Sequence, residues 1–150
     1  MTNKYGLSRN IPNPIKQKIR QICGFGCVIC GCAIYEYHHY NPSFNDAKNH
    51  DPSKIALLCG KCHNYITKGH WSEEKLREAH KTPKTLQNGF SSGFFDVSKK
   101  TPIISFGNSI FTNVSIIIQA FEIPILKISP PENDGSPFRL SGIFYGPRMF

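Results

Sequence analysis

Two pairs of cysteines carry the most specific spacing in the chain. Cys27-Val28-Ile29-Cys30 and Cys59-Gly60-Lys61-Cys62 are each a C-x2-C step, with 28 residues between them. Two such steps let two tight knuckles close a tetrahedral four-sulfur site around zinc. Gly31 directly after the first pair and Gly60 inside the second suit a backbone that turns back with its N–H groups toward thiolate sulfurs. Disulfide pairing is the competing use of the same residues, and the lack of a charged flank followed by an apolar core, the mark of a secretory signal, argues against it. Cys23 and Cys32 are left over; either could partner Cys27 in a shifted register, and otherwise each is a small buried or half-buried thiol.

Between the pairs runs Tyr35-Glu36-Tyr37-His38-His39-Tyr40, an alternating, strand-like segment, and His63 follows Cys62 at the start of an expected short helix. Adjacent histidines on a strand point to opposite faces, so one can bind a metal while the other faces a substrate as a base. His50, His70 and His80 share no such register and are expected to be solvated, and Trp71 is expected to pack a second helix against the zinc module.

The ordered string Cys27-x2-Cys30-Gly31, Glu36-x-His38-His39, Asp51-Pro52-x2-Ile55-x-Leu57-Leu58-Cys59-x2-Cys62-His63 resembles the HNH nuclease domain of the ββα-metal superfamily, in the version braced by a four-cysteine zinc site. It spans about 45 of the 150 residues, from Gly24 to Lys68. By position the resemblance implies that His38 and His63 ligate a catalytic divalent ion and that His39 is the general base. It also places Glu36 where relatives often carry an acidic residue that orients a basic neighbour. The implied reaction is hydrolysis of a phosphodiester by water deprotonated at His39, leaving 5′-phosphate and 3′-hydroxyl ends. Mg²⁺ or Mn²⁺ is the expected catalytic ion, and imidazole ligands would also accept Ni²⁺ or Zn²⁺. One position departs from the pattern: the middle Asn of the family lies nine residues before the last His, and that place is Lys54. Asn45, Asn49 or His50 could take over its task from the same loop, or Lys54 itself could contact phosphate.

Charge agrees with an anionic partner. The chain has 18 Lys and Arg against 10 Asp and Glu, a net charge of +8 and a pI near 9.3. Residues 1–88 carry +7 of that balance, together with all six cysteines and all six histidines, and residues 89–150 only +1. Metal and thiol chemistry therefore belongs to the first part. Lys16, Lys18, Arg20, Lys61 and Lys68 flank the site and are candidate phosphate contacts, against the alternative that each is a solvated charge. At 39% hydrophobic and 19% charged residues, the composition excludes wholesale disorder and collagen-like structure. With no apolar run long enough to span a bilayer, no membrane association is expected and the expected location is the cytoplasm.

These residues must be held by short elements. Asn13-Pro14 before Ile15, Ile19 and Ile22, closed by Gly24, reads as a capped amphipathic helix. Ser72 reads as the cap of another, with Glu73 and Glu74 in its first turn, Lys81 near its end, and Leu76 and Ala79 inward. Asn88-Gly89-Phe90-Ser91-Ser92-Gly93 reads as a linker or wide turn. Beyond it, β-branched and aromatic runs at 103–106, 110–111, 115–121 and 123–128, and a last strand from Phe138 through Tyr145 almost to Phe150, predict a small antiparallel sheet or sandwich. The expected fold is α+β: a ββα-metal HNH module with structural zinc over 1–88 and a β-rich accessory module over 89–150. A last strand so close to the end suggests that the chain continues or that the β module forms a homodimer or larger complex through that edge.

Three functions remain open on the sequence. The first is a metal-dependent HNH endonuclease acting on DNA, most simply double-stranded. The second is a zinc-braced nucleic-acid-binding protein whose catalysis is lost with the Asn that Lys54 replaces. In the third, the β module recognises a protein or ligand and the zinc module is its scaffold.

Overall fold

A computed structural model describes residues 1–145 of the chain. The chain is mixed α and β, with short helices and antiparallel sheets, and divides into two compact units built on Met1–Ser91 and Ser92–Phe144. Among the described residues no helix is long and apolar enough to cross a membrane.

The first unit opens with an arm, Met1–Asn10, laid against a later loop: the Asn3 side-chain amide donates to the carbonyls of Phe44 and Ala47, both at 2.6 Å. Helix α1 (Asn13–Cys23) follows. Its N-cap is Pro12 rather than Asn13, and the Pro12 carbonyl, not a side chain, accepts from Ile15 and Lys16. Ile19 and Cys23 are fully buried, whereas Ile22 is 39% exposed. The expected stripe thus turns by part of a helix face: its centre falls between Ile19 and Cys23, and Ile22 sits at the margin. Gly24 ends the helix in the left-handed region at φ 69°, which frees the Phe25 N–H to reach the Arg20 carbonyl.

Strands β1 (Glu36–His39) and β2 (Ile55–Leu58) pair antiparallel, with His38 opposite Ala56 and His39 opposite Ile55. Residues 40–54 join them and end in a 3-10 turn, Pro52–Lys54, capped by the Asp51 carboxylate. Every residue of β2 is buried, which explains its unbroken apolar run, whereas β1 is exposed at Glu36 and half-buried from Tyr37 to His39. Directly after β2, Cys59 caps helix α2 (Gly60–Thr67) with its sulfur. Helix α3 (Glu73–Lys81) begins at Ser72, whose hydroxyl accepts from Lys75, and it buries Leu76 completely. Trp71 packs edge-on against Tyr65 of α2, with ring centroids 4.9 Å apart, and carries the Lys75 ammonium 3.8 Å above its own ring.

The stretch read as a linker is ordered structure. Helix α4 (Lys84–Asn88) ends at Gly89, left-handed at φ 78°, and strand β3 (Phe90–Ser98) starts at once. Its beginning belongs to the first unit: Ser91 is buried, and a side chain at Gly26 would collide with Thr85 and Ser91. The Gly and Ser content thus permits a close approach of backbones, not a flexible connection.

The second unit holds β4 (Ile103–Phe106), β5 (Ser109–Thr112), β6 (Ile116–Ala120), β7 (Ile123–Ser129) and β8 (Phe138–Tyr145). Strands β4 and β5 form a separate hairpin, and the larger sheet has the order β3-β8-β7-β6. Residues 146–150, expected to carry the last strand toward Phe150, lie outside the described residues.

Candidate metal and histidine centre

The four cysteines of the two C-x2-C steps meet. The sulfurs of Cys27, Cys30, Cys59 and Cys62 all lie within 4.8 Å of one another, and Cys30 Sγ is 3.6 Å from Cys59 Sγ. Bonds of about 2.3 Å to zinc at the centre of a tetrahedron would set the sulfurs about 3.8 Å apart, close to the arrangement present. None is in a disulfide. Cys27 is drawn down to about 5, because Cys30 donates to its sulfur and the backbone N–H groups of Cys59, Cys30 and Ile29 point at it. Cys30 is pushed up by that same donation and by burial, and Cys62 is pushed up to about 12 by burial and the nearby Cys27. A cluster that stabilises the Cys27 thiolate and resists ionisation of Cys30 and Cys62 calls for a cation to offset the added charge, so the donor set fits a zinc ion. Of the leftover thiols, Cys23 is fully buried and held protonated by desolvation, up to about 12, and Cys32 is half-buried. Neither belongs to the four-sulfur cluster.

A second centre lies at the end of β1. A cavity of about 690 Å³ is lined by His38, His39 and His63 together with Glu36, Arg9 and Lys16. The rings of His38 and His63 stand 4.8 Å apart, edge to face. Glu36 Oε2 lies 3.0 Å from His63 Nδ1, which fixes the proton there and leaves Nε2 with the free lone pair. Alternation was expected to send His38 and His39 to opposite faces of the strand. They do take different partners, His63 for the first and Phe44 and His50 for the second, yet both residues line the one cavity. Burial first, then His63, holds His38 down to about 4. Burial, then His50, His38 and Arg9, holds His39 down to about 4.

The loop supplies what spacing alone did not reveal. His50, expected to be solvated, is buried, with Nδ1 3.0 Å from His39 Nε2. His80, likewise expected in solvent, is half-buried with Nδ1 3.0 Å from the Tyr40 hydroxyl, whereas His70 is exposed. Both corrections have one cause: the loop and α3 close over side chains that carry no periodic pattern of their own. Lys54 turns to Asp51, 3.7 Å away, and borders a small pocket beside His39 and Asn49.

Of the five basic residues expected at phosphate, only Lys16 lines the cavity, with its ammonium 5.8 Å above the Tyr37 ring. Arg20 donates to the Tyr37 hydroxyl at 2.9 Å. Lys18, Lys61 and Lys68 are exposed and do not border it. The cation not anticipated is Arg9, whose guanidinium lies 4.8 Å above the Phe44 ring, while that ring meets His39 at 5.4 Å. Arg9 sits outside every motif, and its aromatic partner is 35 residues away, so no local signal could have found it.

Comparison with known proteins gives no match: no family model, no curated protein and no solved structure matches the chain.

Proposed function

We propose that this protein is a metal-dependent endonuclease of the HNH type that hydrolyses phosphodiester bonds in DNA. The observation that carries the reading is the convergence of His38, His39 and His63 on one cavity, with Arg9 and Lys16 on its wall. The succession β1, β2, α2, with the first two histidines on a strand and the third in the first turn of the helix, is the order that a ββα-metal module requires. A zinc ion on Cys27, Cys30, Cys59 and Cys62 would brace it from the other end of β2.

In this reading His38 and His63 would hold one divalent ion, and when bound it supplies positive charge for the developing phosphorane and the leaving alkoxide. Mn²⁺, Ni²⁺ or Zn²⁺ suits two imidazoles better than Mg²⁺ does, although Mg²⁺ is the ion most available. His39 is neutral at pH 7 and takes the proton from the attacking water. Glu36 keeps His63 in the tautomer whose Nε2 can ligate. Arg9 and Lys16 draw the phosphate in, and the arriving anion opposes the influence of Arg9 and His50 on His39, raising its basicity when it is needed.

The test uses supercoiled plasmid with Mg²⁺, Mn²⁺ or Ni²⁺, beside EDTA and the His39→Ala protein. Nicking or linearisation that needs metal and falls about 100-fold or more in His39→Ala is the expected result. The ion pair of Lys54 with Asp51 favours a second reading, a nucleic-acid-binding protein without turnover. Protein that retains zinc and shifts DNA in a salt-dependent manner but never cuts would replace the first reading by that one.

A further inference from the structure

The contact between His39 and His50 joins two imidazole nitrogens, Nε2 of the first and Nδ1 of the second, at 3.0 Å, with the rings inclined by 53°. Such a contact needs one donor and one acceptor, so only two neutral arrangements exist. In one, His50 Nδ1–H donates to His39 Nε2, and His39 must then carry its own proton on Nδ1. In the other, His39 Nε2–H donates to His50 Nδ1, and His39 Nδ1 is left as a bare lone pair. The second keeps both rings in the Nε2–H form that a neutral histidine side chain generally prefers. It is also the only one in which His39 has an unshared lone pair for a proton.

The surroundings support a fixed geometry. His50 is only 9% exposed, and the loop that carries it is tied to the amino-terminal arm through Asn3. Phe44 holds the His39 ring on another side. Lys54, in the place of the family's orienting Asn, is drawn to Asp51. The task of orienting His39 therefore falls to a residue four positions earlier in the same loop.

We infer that His50 is the positioning residue of this site, accepting from His39 Nε2–H so that His39 Nδ1 is the atom that deprotonates water. The inference deepens the nuclease reading and rests on it for its catalytic meaning, while the hydrogen bond and tautomer can be measured without turnover.

Two variants of the full chain separate the cases. His50→Asn keeps an acceptor oxygen near the place of Nδ1, and His50→Leu removes it while still filling space. On plasmid with Mn²⁺, His50→Leu is expected to lower kcat about 100-fold with KM within about twofold, and His50→Asn to recover to within about tenfold of wild type. Zinc content and melting temperature, measured on both, show whether each is folded. In parallel, ¹⁵N-detected histidine spectra should show His39 protonated at Nε2 in wild type and His50→Asn, and a mixture of tautomers in His50→Leu. Unchanged kcat in folded His50→Leu, or a wild-type His39 protonated at Nδ1, overturns the inference. Cleavage by none of the proteins removes the nuclease reading alone; the spectra then still uphold or overturn the pairing.

Discussion

The two units bury their apolar residues very differently. In the first, Ile19, Val28, Leu57, Leu58 and Leu76 are at most 1% exposed and form one cluster with the buried cysteines. In the second, among the described residues, Ile128 is the buried large hydrophobic, while Phe121 is 98%, Ile103 73% and Ile110 70% exposed. Both units have regular hydrogen-bonded strands, so secondary structure does not separate them. The contrast teaches that the first unit locks its side chains by dense packing around buried polar partners, whereas side-chain bonds in the second, such as Arg139 to Glu132, lie in solvent. The histidine centre and the sulfur cluster both lie where that locking exists.

The largest expected effect comes from the sulfurs. Cys59→Ser keeps a cap oxygen for α2 but removes one metal ligand, so the loss it causes reports metal binding rather than helix capping. Zinc content should fall from about one per chain, and the first unit should lose several kcal/mol of stability in urea titrations. Undiminished stability would mean that the cluster acts as ordinary apolar packing, and the contrast between the units would then rest on β2 and α1 alone.

Next in size is a matched pair of truncations. Leu57→Ala, in the fully buried strand β2, should cost about 2–5 kcal/mol, and Ile110→Ala on the exposed hairpin less than about 0.5 kcal/mol. A comparable cost at both positions would show that Ile110 is covered in solution, for instance by a second copy of the chain.

The smallest effect sharpens the comparison within the first unit. His38 and His39 protonate at about 4 when folded and near 6.5 when unfolded, so the unfolded chain binds more protons in between. Their contribution is complete above pH 6.5 and is lost as pH falls toward 4. In metal-free protein, His39→Gln should therefore lose stability less steeply than wild type between pH 6.5 and 5. Identical slopes in urea titrations would show that His39 ionises as freely in the folded unit as in the unfolded chain.

Much of the local structure was legible. Ser72 with Glu73 and Glu74 marks the start of α3, and Gly24 marks the end of α1, because caps and left-handed glycines act within a few residues. The C-x2-C steps predict the meeting of four sulfurs, since a knuckle and a helix cap have nearly invariant backbones. Errors gathered where a residue's fate depends on distant chain. Periodicity gives the width of a helix face but not its centre, so Ile22 belongs to the α1 stripe by spacing and yet lies at its margin. Composition cannot distinguish a flexible segment from one packed against Gly26, so the Gly- and Ser-rich stretch at 88–93 reads as a linker and yet is ordered.

Sequence by itself determined the two C-x2-C steps whose four sulfurs meet and the basic first part, because spacing and charge are properties of a chain in any conformation. Tertiary structure alone decided that Arg9 is held over Phe44, that Lys54 faces Asp51, and that His50 meets His39. Those contacts depend on how the 40–54 loop closes against the arm and β1, and burial and hydrogen-bond partners exist only once that closure has brought the residues together.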